Sequence, residues 1–235
     1  MRSSAAVGAL GAITFGLAGL AWTVIELVPV TLGFEDTDSP AVSLAYLRDH
    51  PDNYVQQGVG LFVMALALTI VVFTMWDVLA GRTSSLGLRT TTAIGLVAAA
   101  CFFLFGVLRY SVEPMLYIDS LRPEWGEAAY LVGQMAGIHG FAQGALITVC
   151  GWAVGVSVMG YRARALPRWL ALLAVVPAIR LVSLLGPTGT LDFLPGELLW
   201  IVLMLSIPGT LMWFVLLGAV LLRRATRARI EVAST

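Results

Sequence analysis

At 235 residues, 59% hydrophobic and only 12% charged, with a mean hydropathy of +0.89, the chain is too apolar to be a soluble domain of its size. Its 14 basic and 14 acidic residues cancel, and every basic residue is arginine. The lack of lysine excludes a Schiff base, a lysine nucleophile and a phosphate-loop lysine, no basic stripe outside the membrane flanks suggests nucleic acid, and arginine in place of lysine points to a GC-rich bacterial genome.

Six runs approach the roughly 20 apolar residues that a membrane-crossing helix needs. They cover 5–32, 55–79, 90–112, 129–159, 169–185 and 197–222. No run alternates as a barrel strand does. The expectation is all-α: a polytopic bundle of six transmembrane helices, one transmembrane domain over 1–235, in the cell membrane.

The first run follows Arg2 but far exceeds the roughly 7–15 apolar residues of a signal peptide. It sets Ala12, Gly16, Gly19, Thr23 and Glu26 on one helical face. The connection after it holds Glu35, Asp36 and Asp38, without the spacing of a calcium loop. Ser39-Pro40 then reads as an N-cap and first helical position. A short interfacial helix over 41–48 would turn Leu44, Tyr46 and Leu47 toward lipid.

Arg82 and Arg89 separate the second and third runs. The third places Gly95, Ala98, Phe102, Gly106, Arg109 and Glu113 along one stripe. The segment 115–125, with Tyr117, Leu121 and Trp125, reads as a second interfacial element. The fourth run carries Gln134, His139 and Gln143, beside a glycine row of 133, 137, 140, 144, 151 and 155. Small faces let helix backbones approach in lipid, so these faces are expected to meet neighbours or a partner protein. Arg162, Arg164 and Arg168 precede the fifth run, which contains Pro177 and Arg180. The sixth begins at Glu197, contains Pro208-Gly209 and is followed by Arg223, Arg224, Arg227 and Arg229. Prolines within spans break or kink helices, and broken helices line many transporter sites.

Arginine alternates with acid along the connections. Short cytoplasmic loops retain positive charge. Both termini and the even-numbered connections are therefore expected in the cytoplasm. The acidic connections, with Asp49, Asp52, Asp119, Glu124, Glu127 and Asp192, are expected outside.

Ionisable groups within spans are costly and read first as functional sites. Of Glu26, Arg109, Glu113, His139, Gln143, Arg180 and Glu197, most fall toward the outer half of the membrane under this orientation. Together they are expected to line a pocket that binds or transports a small or lipid-like molecule. Two arginines among carboxylates suit an anionic or zwitterionic ligand. Two other readings stay open. One is an intramembrane enzyme, an isomerase or terpene-cyclase-like protein, with Glu26 or Glu197 as the acid. The other is an accessory subunit that packs on a protein partner or on its own copy. The same charges could also be structural, with Glu26, Glu113 and Glu197 neutralising Arg109 and Arg180. No cofactor or metal is expected: His139 is the only histidine within a span, too few for haem or catalytic zinc. Cys101 and Cys150 read as buried apolar side chains.

The run Leu166-Pro167-Arg168-Trp169-Leu170 resembles the entry to the fifth helix in bacterial membrane proteins grouped as domain of unknown function four-three-eight-six. Leu194-Pro195-Gly196-Glu197 is similar to that family's approach to the last helix. Tyr46-Leu47 and Arg109 fit its layout loosely. The resemblance implies six helices in a bacterial membrane and no assigned reaction.

Overall fold

The computed structural model describes the backbone over 2–31, 39–185 and 196–233, and the side chains over 5–26, 39–184, 201 and 204–227. The acidic cluster Glu35, Asp36 and Asp38, Asp192 and the Glu197 side chain lie outside the described residues.

Ten α-helices and one π-helical segment make up the described residues, with no strand among them. In chain order they are α1 (Arg2–Thr31), α2 (Pro40–Asp49), α3 (Pro51–Leu79), α4 (Ser85–Tyr110), α5 (Val112–Leu121), α6 (Pro123–Gln134), the π segment (Met135–Ala142), α7 (Gln143–Arg162), α8 (Arg168–Leu172), α9 (Val175–Leu185) and α10 (Gly196–Ala233). Proline opens α2, α3 and α6, where its missing N–H costs nothing. Ser84 caps α4 by accepting from the Gly87 amide at 3.2 Å. Gly81, at φ +73, makes the left-handed turn between α3 and α4.

Five helical stretches are long and apolar enough to cross a membrane: Ala5–Glu26, Pro51–Leu79, Ser85–Leu121, Pro123–Arg162 and Met204–Arg227. The fifth expected run, 169–185, is instead two short helices, α8 and α9. Pro177 falls in the first turn of α9, where no N–H is required. The chain tightens just before it: Ala174 N–H bonds Ala171 O at 3.2 Å, one residue short of the α-helical partner. That leaves the Leu170 carbonyl for another donor, and the Trp213 indole supplies one at 3.1 Å. Trp213→Phe is expected to strand that buried carbonyl at a cost of about 1–3 kcal/mol, measured by thermal unfolding in detergent.

The long helices form a ring. α1 packs on α3 and α10, α4 on α3 and α7, and α9 on α7 and α10. Aromatic rings fill its centre. Phe15 lies 4.3 Å from Phe214 and 5.6 Å from Phe102, and Trp152 stacks on Phe214 at 5.7 Å. Outward, the molecule is apolar: Leu10, Leu17, Leu66, Phe73, Val97 and Phe103 are exposed. A surface of that kind needs lipid or protein against it.

Small residues set the closest helix crossings. A Cβ on Gly16 would lie 2.7 Å from the Leu211 carbonyl oxygen. One on Gly58 would lie 2.8 Å from the Tyr110 amide nitrogen and 3.0 Å from the Gly106 oxygen. The glycine row of the fourth run is split: a Cβ on Gly137 or Gly155 would press on α4, at 3.2 Å from Phe105 and 3.0 Å from Thr91. Space around Gly133 is open to 4 Å, and Gly140 and Gly151 would meet only ordinary contacts at 3.8 and 3.9 Å. The π segment explains why. Its wider i→i+5 turns rotate the helix, so residues before and after it no longer share one α-helical face.

At one end, α2, α5 and α6 form a cap with a small core of its own, Leu44, Leu47, Val112 and Tyr130. The interfacial helix expected over 41–48 is α2, but Leu44 and Leu47 turn into this core rather than toward lipid. An ion pair ties the cap together. Arg48 Nε donates to Asp119 Oδ2 at 2.9 Å, and its Nη2 contacts the same oxygen. The two side chains are 54% and 2% exposed, respectively. Arg48→Ala therefore leaves a buried carboxylate, whereas Asp119→Asn leaves an arginine that reaches water. The first should cost about 2 kcal/mol and the second clearly less, compared by thermal unfolding of the two variants.

Candidate functional site

The site lies between the main bundle and the cap. α4 ends at Tyr110, where Ser111 closes it by donating its hydroxyl to Val107 O at 2.7 Å. Arg109 thus occupies the last turn, where the helix dipole favours a cation. It is only 5% exposed. The Gly58–Gly106 crossing brings α3 alongside, so Tyr54, one turn earlier on α3, meets Arg109. The Arg109 guanidinium carbon lies 4.3 Å from the centre of the Tyr54 ring and 5.2 Å from that of Phe105. Both are cation–π distances. From α1, Glu26 Oε1 accepts from Arg109 Nη2 at 3.2 Å.

From α6, the Gln134 amide donates to the Tyr130 hydroxyl at 2.6 Å and to the Tyr54 hydroxyl at 3.2 Å. Gln134 is the last residue before the π segment, a distortion that recurs at functional sites. Four elements thus deliver one polar cluster: Glu26, Tyr54, Arg109, Tyr130 and Gln134. All but Glu26 line a small, partly open cavity of about 30 Å³, whose remaining wall is mainly apolar: Phe105, Leu108, Val112 and Met115. One turn beyond Tyr54, Gln57 is 1% exposed and donates to Asn53 at 2.7 Å, while its own carbonyl oxygen is buried without a partner among the described residues. Nearby in the cap, burial pushes the Tyr46 phenol above its ordinary pKa, which keeps it a neutral hydroxyl.

A second cavity adjoins the first. Trp22 and Phe105 meet edge to face at 6.2 Å. Phe105 lines the first cavity and Trp22 the second, so this ring pair is the partition. The second holds about 40 Å³, also partly open, with Phe15, Met64, Phe102, Leu146 and Ile207 among its apolar walls. Its cation is Arg180. The Nε of Arg180 and the Nε1 of Trp22 are both buried without hydrogen-bond partners among the described residues. Two buried donors thus face a mainly apolar slot whose few polar side chains, Thr23, Cys150 and Thr210, do not bond them.

No family model, curated protein or solved structure matches the chain.

Of the seven residues singled out in the sequence, the six whose side chains are described do not form one pocket, and Glu197 lies outside the described side chains. Glu26 and Arg109 pair directly. Arg180 opens on the adjoining slot. Glu113 is exposed in the first turn of α5 and makes no ion pair among the described residues. His139 and Gln143 are exposed on the outside of the bundle, within and just after the π segment. Their shared face is real only for an unbroken α-helix. Conversely, Tyr54 and Tyr130 carry no sign in the sequence that sets them apart from ordinary interfacial tyrosines. Among the described residues no three His, Cys, Asp or Glu side chains converge as a metal site would require.

Chemically, the first cavity combines a fixed cation, a carboxylate, two phenols and an amide with apolar walls. It can hold an anionic group by charge-assisted hydrogen bonds. Glu26 offers a place for a positive one. The slot beyond the ring partition offers mainly apolar walls and two buried donors to an acceptor group.

Proposed function

We propose that this chain is a six-span, multi-pass protein of the cell membrane that binds or transports a small amphiphile with an anionic or zwitterionic head, held in the outer half of the bilayer. The observation that carries this reading is Arg109, nearly buried at the wall of a cavity and held by Glu26 and two aromatic rings. A buried charge is costly unless it has partners and a purpose. The adjoining slot, with two unsatisfied donors among apolar walls, supports a ligand that is itself part apolar and part acceptor.

The sixth span is the α8–α9 pair. It closes the ring between α7 and α10, and its 168–185 stretch rises about 27 Å at 1.5 Å per residue. Both termini are cytoplasmic. Arg82 lies near Arg224, so the arginine-rich connections gather at one end of the bundle. At the other end, Arg48 is neutralised by Asp119, and Arg122 lies 5.1 Å above the Trp125 ring. The likeness to the four-three-eight-six family agrees with this layout and adds no reaction.

Two experiments test the proposal. With Cys101 and Cys150 replaced by alanine, Ser120→Cys should react with an impermeant maleimide on intact cells, and Ser85→Cys should not. The reverse pattern sinks the orientation. For the ligand, the purified protein is heated with decanoate, decanol or decylamine at equal concentration. Decanoate should raise the melting temperature, and Arg109→Gln should abolish the gain. Equal stabilisation by decylamine sinks the anion reading. At a hundredfold excess over Kd, binding adds about 2.7 kcal/mol.

A further inference from the structure

The opposite end of the bundle carries a second basic site, built differently. Arg164, from the connection after α7, and Arg223, Arg224 and Arg227, from α10, line one open cleft of about 290 Å³ with Leu166, Pro167 and Trp169. Arg82, from the α3–α4 connection, adds like charge close to Arg224. Among the described residues no acidic side chain lines the cleft, and none of these arginines is in an ion pair. Guanidiniums crowded without counter-charge repel one another, so the arrangement costs energy until an anion occupies it.

The backbone adds an independent sign. α7 ends in a Schellman turn: Arg164 N–H bonds Tyr161 O at 3.1 Å, and Ala165 N–H bonds Gly160 O at 2.7 Å. The residue at the left-handed position of this turn is ordinarily glycine, which holds it without steric cost. Here it is Arg164, at φ 52, the only non-glycine with positive φ among the described residues. The chain accepts backbone strain to place a guanidinium at the cleft. Strain of this kind points to a use for the side chain. The floor is apolar and Trp169 is 46% exposed beside it, the arrangement found where a protein surface meets lipid head groups.

We infer that this cleft binds the phosphate head group of an anionic phospholipid in the leaflet at that end. The phosphate takes the guanidinium donors, and the acyl chains leave along Trp169 and the apolar floor. The inference requires that the chain be embedded in a membrane and rests on nothing at the Arg109 end.

Native mass spectrometry of the full-length protein in mild detergent reads the bound lipid. Phosphatidylglycerol should remain bound where phosphatidylcholine does not. Arg164→Gly should weaken phosphatidylglycerol about fivefold, while its melting temperature stays equal or rises because the strain is relieved. Arg223→Gln/Arg224→Gln/Arg227→Gln should abolish binding. Arg122→Gln, an exposed arginine over Trp125 at the opposite end of the bundle, should leave it unchanged. Equal retention of the two lipids, or unchanged phosphatidylglycerol binding in both arginine variants, overturns the assignment. Complete displacement of the lipid by millimolar inorganic phosphate also overturns it, since the anion would then be a soluble one.

Discussion

Glu26→Gln is expected to lower stability by about 2 kcal/mol and to weaken ligand binding tenfold or more. The substitution takes the negative charge from a guanidinium that is 5% exposed, while Glu26 itself is 34% exposed. Breaking a fully buried pair costs roughly 3–5 kcal/mol, and the partial exposure of Glu26 reduces that. Arg109→Gln strands less, because a carboxylate that is one-third exposed can reach water, but it removes the cation that the proposed ligand needs. A double-mutant cycle separates the two effects. If the pair is coupled, Glu26→Gln/Arg109→Gln should be more stable than the sum of the single losses, by about 1 kcal/mol or more. Strict additivity in thermal unfolding would show that the 3.2 Å contact contributes nothing to the fold.

The second large effect is expected at Gly58→Val, which should cost about 3 kcal/mol or more and disturb the site as well. The new Cβ would press on the Tyr110 amide and the Gly106 carbonyl, both backbone atoms of α4 that cannot rotate away. Overpacking typically costs about 1–3 kcal/mol, and the high end applies where backbone must move. Tyr54 and Arg109 each lie about one turn from this crossing. Parting α3 from α4 therefore also lengthens the 4.3 Å cation–π contact. The contrast is Gly133→Ala, where nothing lies within 4 Å and unfolding should barely change. Gly58→Val that unfolds like the wild type would contradict the tight crossing.

Much of the fold is legible from apolar length alone. Five of the six runs appear as helices long enough to span, because sustained hydropathy has few other uses in a chain this size. The run at 169–185 is the exception, and Pro177 is the reason. It lies where a helix can begin but not continue, so the chain breaks and Trp213 takes the freed carbonyl. The pairing of Glu26 with Arg109 is also legible, since charges within apolar runs must meet partners. The rest of the cluster is not. Tyr54, Tyr130 and Gln134 are ordinary residues made relevant only by the cap, and a cap built from connections leaves no periodic trace. His139 and Gln143 show the reverse case. Their i, i+4 spacing holds for an α-helix, and no feature of 135–142 announces a π turn.

The Arg109 site and the arginine cleft lie at opposite ends and differ in construction. The Arg109 site buries one cation among rings and phenols. The cleft exposes several cations along an apolar floor. The two proposals are complementary: an enclosed site for a ligand, and a lipid contact that would fix the depth of the chain in a membrane.

The most direct measurement is native mass spectrometry of the full-length protein released from its own membrane, beside Arg109→Gln prepared identically. The wild type should carry a small anionic or zwitterionic amphiphile that the variant has lost, while phospholipid adducts stay equal in both. A wild type without such an adduct, or the same adduct at the same level in Arg109→Gln, would contradict a ligand site at Arg109 and leave the buried pair a structural brace.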